Sequence, residues 1–167
     1  MNEGDSAFWR FSLRFYRRPE VSALCLTLQD EYGIDVNCLF FILFLAINGR
    51  QLTPGEARRI DAHTRDWRRR VVQPLRAIRR DLKGGIAPMD TQATAALRSA
   101  IKRDELHAER LQQETLEQTF LVQSIGTATA PGMATAANIA AYSTLTGALP
   151  EAAVNALLTS LAEEFSV

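Results

Sequence analysis

Cysteine, histidine and lysine are each present only twice in this chain of 167 residues, against 17 arginines. Cys25 and Cys38 lie inside apolar stretches, with no C-x-x-C pair and no spaced framework, which excludes a zinc ribbon or a disulfide staple and leaves two reduced core thiols. With two histidines a di-iron carboxylate bundle has too few ligands, since it needs two Glu-x-x-His motifs. Only Asp104-x-x-His107 approaches that spacing, and His63 follows Asp61 at i, i+2, off the same helix face. No nucleophile elbow or family-type catalytic cysteine motif is present, and Gly84-Gly85 lacks the spacing of a phosphate loop. The expectation is therefore no metal and no cofactor. No apolar run reaches the roughly 20 residues that span a bilayer. The most apolar segment, Val36–Ile47, has 12 and reads as a buried helix. Met1–Asp5 is polar and acidic, without the basic flank of a leader, so a cytoplasmic protein without membrane attachment is expected.

What the chain does have is helix-forming content. Alternation of β-branched residues is scarce, while Ala, Leu, Arg, Glu and Gln dominate, and stop signals recur every 15 to 35 residues. The spacing predicts an all-α fold, a compact single-domain bundle of about six to seven helices. Ser6 caps the first helix, to Arg17. Pro19 opens the second, which Gly33 ends after Tyr32. Asp35 caps the third, closing at Asn48-Gly49, and Thr53-Pro54-Gly55-Glu56 is a capping box for a long fourth helix to about Lys83. Its apolar positions Ile60, Trp67, Val71, Ile78 and Leu82 continue in phase across Pro74, where a kink or break is expected. Asp90 caps a fifth helix reaching Ser124, antiparallel to the fourth. Residues 1–124 are expected to form the helical core, and 125–167 an Ala/Thr-rich extension with one or two short helices docked on it.

Charge sums to zero but is unevenly placed. Residues 1–49 hold 4 basic and 6 acidic groups, residues 50–83 hold 11 and 4, and residues 84–167 hold 4 and 9. On a continuous helix Arg58, Arg65, Arg69, Arg76, Arg80 and Lys83 fall within about 60° of one another, opposite the apolar stripe. Such a ridge is either a solvated face paired with acids of the fifth helix, Glu105 and Glu109 among them, or a docking surface. Arginine binds carboxylate and phosphate bidentately, so the partner it suits is an acidic protein or a ribonucleoprotein. Direct nucleic-acid binding is weakly supported, because no recognition motif accompanies it and the overall balance is neutral. Arg69, Arg76 and Arg80 lack an acid at i−4 and are the expected contacts. A second candidate site is polar: Gln29, Asp30, Asn37 and His63, between the second, third and fourth helices, able to form a pocket for an anionic metabolite.

Three stretches read together resemble a known family. They are Phe8-Trp9 through Tyr16-Arg17-Arg18-Pro19-Glu20-Val21, then Cys25 through Asn37, with Leu28-Gln29-Asp30 at its centre, and Trp67 with Val71 through Lys83. They resemble an uncharacterised bacterial family, domain of unknown function 2390, over about residues 6–120. The resemblance implies a bacterial, cytoplasmic, all-α protein and brings no activity with it. On residues alone the expected function is a non-enzymatic interaction module working through the arginine ridge, with a small enzyme or ligand-binding protein using the polar pocket as its alternative.

Overall fold

The computed structural model describes residues 6–147 and 149–165, so the leader reading of Met1–Asp5 falls outside the described residues. The chain runs α1 (Ala7–Tyr16), α2 (Pro19–Glu31), α3 (Val36–Ile47), β1 (Arg50–Gln51), α4 (Pro54–Trp67), α5 (Gln73–Asp81), α6 (Thr91–Thr119), β2 (Thr127–Ala128), α7 (Pro131–Thr146) and α8 (Glu151–Phe165). A π-helical turn, Arg68–Val72, joins α4 to α5. The fold is all-α except for the antiparallel β1–β2 ladder, with Arg50 opposite Ala128 and Gln51 opposite Thr127. Two residues carry no readable alternation, and this ladder has no counterpart in the sequence expectations. It depends on Gly126, whose φ is +66° and whose missing Cβ would meet the Gln51 carbonyl oxygen at 2.5 Å.

The helix starts form for local reasons. Ser6 accepts from Trp9 N–H, Asp35 from Asn37 and Cys38 N–H, and Asp90 from Ala93 N–H, while Thr53 and Glu56 complete a reciprocal capping box. The apolar helix α3 is central, with every side chain from Asn37 to Ala46 buried. On one side Phe8, Phe11 and Phe15 of α1 meet Phe40, Phe41 and Phe44, and the Phe8 and Phe41 rings lie edge to face at 4.9 Å. On another side α7 packs through Ile139, Ala141 and Tyr142. Asn138 of α7 is fully buried and fully used: it donates to the carbonyls of Ile42 and Arg50 at 3.2 and 2.9 Å and accepts from Leu52 N–H at 2.7 Å. The helix α8 adds Leu157 and Leu161 to the core, and its Glu163 and Glu164 pair with Arg18, Glu164 also with Arg14.

Two expectations are corrected. The fourth helix is not one α-helix. Arg68, four residues after buried Thr64, already continues the inner face of α4; the wide turn at Arg68–Val72 then inserts one residue, and beyond it the inward positions are Val72, Arg76 and Arg79 in place of Val71 and Ile78. Ile60 and Leu82 remain buried, yet Trp67 and Ile78 are 38% and 47% exposed. The expected single-phase stripe fails at this turn, just before Pro74, whose missing N–H cannot continue the α ladder. The second correction is the end of α6. It stops at Thr119, because Phe120 leaves the helix at ψ 76° and turns into the core against Phe41 and the His63 ring.

Candidate functional site

Arg68, continuing the inner face of α4, meets a polar layer built on the N-terminus of α3, and the one-residue advance turns Arg76 and Arg79 toward α6. Asp35 caps that helix with Oδ1 and uses Oδ2 to accept from Arg68 Nη1 and Gln112 Nε2, both at 2.7 Å. Arg68 Nη1 also donates to Asp61 Oδ1 at 2.9 Å, and Asp61 Oδ2 accepts from Arg65 at 2.7 Å. Burial alone raises the Asp61 carboxyl, but the hydrogen bonds and charges of Arg65 and Arg68 outweigh it and hold Asp61 below its usual range. Burial likewise opposes the charge of Arg68, and the two aspartates reverse that, raising it. A chain of side-chain amides leaves this layer: Asn37 Nδ2 donates to Gln112 Oε1 at 3.1 Å, and Gln113 Nε2 donates to Asn37 Oδ1 at 2.7 Å.

Above the polar layer lies a cleft of about 750 Å³ between α1 and α2 on one side and α5 and α6 on the other. Phe8 N–H of α1 donates to Glu117 of α6, so the two helices meet there. Two turns further along α1, Tyr16 lies near Glu109, and Ser12 and Gln113, one turn from the Phe8–Glu117 contact on each helix, both line the cleft. Trp9, Leu13, Tyr16, Phe40 and Val72 give the cleft an aromatic and apolar wall. Arg76, Arg79, Arg80 and Lys102 line it as well, Lys102 standing about 16 Å from Gln113 along α6. Arg76 donates to Glu105 at 3.0 Å and Glu109 at 2.5 Å, Arg79 clamps Glu105, and Arg80 reaches across the cleft to Asp30 on α2. Burial pushes Glu105 up, but the hydrogen bonds from Arg79 and Arg76 prevail and hold it low. At Glu109 burial prevails over Arg76, Glu105 adds to it, and the carboxyl is raised. Two carboxyls one turn apart are thus held in opposite directions.

Of the residues singled out from sequence, the structure brings Gln29, Asp30 and Asn37 to this cleft together with Arg76 and Arg80. His63 is elsewhere: its ring lies edge to face with Phe120, and Nε2 bonds Thr119 Oγ1 at 3.1 Å. The basic ridge is divided. Arg65 pairs with Asp61, Arg76 with Glu105 and Glu109, and Arg80 with Asp30, while Arg58, Arg69 and Lys83 stay exposed without an ion pair among the described residues. Arg76 therefore does not point away from the body as the continuous-helix geometry predicts, because the π turn carries it inward. Arg68, Arg79, Ser12, Gln112 and Gln113 were invisible as a group. Only the proline signalled that the phase of the helix changes.

Both thiols are buried, and burial pushes Cys25 up to about 12 and Cys38 well above its ordinary value, so neither is a nucleophile at neutral pH. Among the described residues no group of His, Cys, Asp and Glu could hold a metal ion, and no helix is long and apolar enough to cross a membrane. Comparison with curated proteins and with solved structures finds no match in either. The family model described as protein of unknown function (DUF2390) matches residues 7–116. That span holds α1 to α5 and nearly all of α6, which carry the polar layer and every residue of the cleft. More than half of the chain is matched, and the protein belongs to this family of unknown function.

Proposed function

We propose that this protein binds an amphipathic organic anion in the cleft between α1/α2 and α5/α6. The observation that carries the reading is the mixed lining of the cleft, where Trp9, Tyr16 and Phe40 share one cavity with Arg79, Arg80 and Lys102. A cleft of this volume is of the size that buries a small organic ligand, and convergent polar groups on an apolar wall set its orientation. The five cationic side chains lining it, Arg68, Arg76, Arg79, Arg80 and Lys102, face the five acids Asp30, Asp35, Asp81, Glu105 and Glu109. Protonating Glu109, the acid whose pKa is raised, leaves the wall positive by one charge. An anionic head docks there on guanidinium edges already held in place, and its apolar body extends toward Trp9 and Tyr16.

The probe is 8-anilinonaphthalene-1-sulfonate, an aromatic sulfonate, followed by its fluorescence. Wild type is expected to bind it saturably at one site, and the Arg80→Glu/Lys102→Glu variant to bind about tenfold more weakly. An Arg58→Glu/Arg69→Glu variant, altered on the outer face, serves as the control and keeps wild-type affinity. No saturable binding, or equal weakening in both variants, overturns the reading.

A second reading rests on that outer face. Arg58 and Arg69 stay exposed and without an ion pair among the described residues, which supports an acidic protein or ribonucleoprotein as a docking partner. Capture from lysate with and without nuclease, comparing wild type with Arg58→Glu/Arg69→Glu, tests it. A partner kept by the variant rules the surface out, and nuclease sensitivity separates RNA from protein.

A further inference from the structure

The cleft holds two polar side chains whose hydrogen bonding is incomplete. Ser12 and Gln113 both line the cavity and are each only 4% exposed, yet Ser12 Oγ and Gln113 Oε1 have no hydrogen-bond partner among the described residues. A buried polar atom left unpaired carries a desolvation penalty, so an occupant that pairs with it is favoured.

Which hydrogen-bonding role is open at Gln113 follows from the amide chain. The Asp35 carboxylate only accepts, so Gln112 must turn its amide nitrogen toward it. Gln112 Oε1 is then the acceptor for Asn37 Nδ2, and Asn37 Oδ1 the acceptor for Gln113 Nε2. The charge of Asp35, itself held by Arg68 at 2.7 Å, thereby sets the orientation of all three amides. The chain ends with Gln113 presenting an oxygen acceptor that cannot be exchanged for a donor without breaking each link behind it. Ser12, one turn along α1 from Phe8 and lining the same cavity, supplies a hydroxyl that can donate.

An unpaired acceptor and an unpaired hydroxyl lining one cavity with Trp9 and Tyr16 match one group. We infer that the occupant of the cleft carries a hydroxyl at its apolar end, which donates to Gln113 Oε1 and accepts from Ser12 O–H, beside Trp9 and Tyr16. This rests on the cleft being a ligand site and adds the substrate class, a hydroxylated amphipathic anion.

The test uses two fragments without an anionic head, so that it is independent of the arginine wall. Binding of 4-fluorophenol and of 4-fluoroanisole, its methyl ether, is measured by fluorine NMR on the full chain. Wild type is expected to bind the phenol about tenfold more tightly. In Gln113→Met, which keeps length but removes the acceptor, the ratio falls to about one, and in Ser12→Ala, which alters only a hydroxyl, it falls partway. Equal binding of the two by wild type, no binding of either, or a preference that survives Gln113→Met overturns the inference. If Gln113→Met does not fold, Ser12→Ala and the wild-type ratio decide it. Anilinonaphthalene sulfonate titrated into the same samples separates the failures: bound sulfonate with no phenol preference removes the hydroxyl alone, and unbound sulfonate removes the cleft reading.

Discussion

Two neighbouring arginines show how far a single position decides the role of a side chain. Arg68 is half-buried against the buried Asp35 and Asp61, and Arg69 stands in solvent without an ion pair among the described residues. Removing one partner of a buried pair leaves an uncompensated charge, which costs about 3–5 kcal/mol, whereas an exposed substitution lies within about 0.5 kcal/mol. Urea unfolding is thus expected to show Arg68→Ala strongly destabilised and Arg69→Ala unchanged. Equal midpoints for the two would remove the inward phase. Glu109 supports a prediction on binding. Its pKa is raised chiefly by burial and by the nearby Glu105, against the pull of Arg76, and the charges of Asp35, Arg79 and Tyr16 lie close by. As pH falls through that raised value the carboxyl takes up a proton and the wall gains positive charge. Affinity for anilinonaphthalene sulfonate is therefore expected to rise as pH falls toward the ordinary carboxyl value of 4.5 and to be flat in Glu109→Gln. A slope that persists in the variant assigns it to another group.

At the level of elements the π turn decides which sequence positions of α5 face the site. Deleting Arg70 removes the inserted residue, so a regular α-helix runs through the turn and the residues beyond it keep their orientation, Arg76 and Arg79 still facing Glu105. The deletion is expected to retain sulfonate binding and, like Pro74→Ala, to move the urea midpoint little; lost binding would show that the wide turn does more than absorb a residue. The proline permits the turn, while contacts of Arg68, Val72, Arg76 and Arg79 fix it. Circular dichroism in urea measures both. This element also marks the limit of what a sequence discloses. Caps such as Ser6, Asp35, Thr53 and Asp90 are local chemistry, and their helix starts were legible. Gln29, Asp30 and Asn37 were legible as polar residues beside the most apolar helix. An inserted residue shifts phase without any change of residue type, so Arg76 and Arg79 read as solvent-facing. Ser12 and Gln113 line one cavity only because α1 and α6 pack together, a tertiary fact that no spacing within either helix contains.

For the whole molecule the zero net charge conceals a separation: the arginine segment from 50 to 83 is folded against an acidic segment that supplies Glu105 and Glu109. The ion pairs that result are partly buried, so their contribution follows protonation more than screening by salt. Asp61 and Glu105 both have folded-state pKa values below their ordinary 3.8 and 4.5, because arginine hydrogen bonds outweigh burial. A lowered carboxyl contributes stability that is complete above its unfolded value and is lost as pH falls through its folded value. Glu109 acts with the opposite sign: raised from 4.5, it favours the folded state below that value and loses this contribution as pH rises through its folded value. Stability is expected to peak near the ordinary carboxyl value of 4.5, falling above it as Glu109 ionises and below it as Glu105 and Asp61 take up protons. Urea midpoints measured across pH check this, with Glu105→Gln less stable than wild type near neutrality and converging with it in acid. A Glu105→Gln variant that stays a constant distance below wild type at every pH shows that packing of the side chain, and not its charge on Arg76 and Arg79, holds the hairpin to the body.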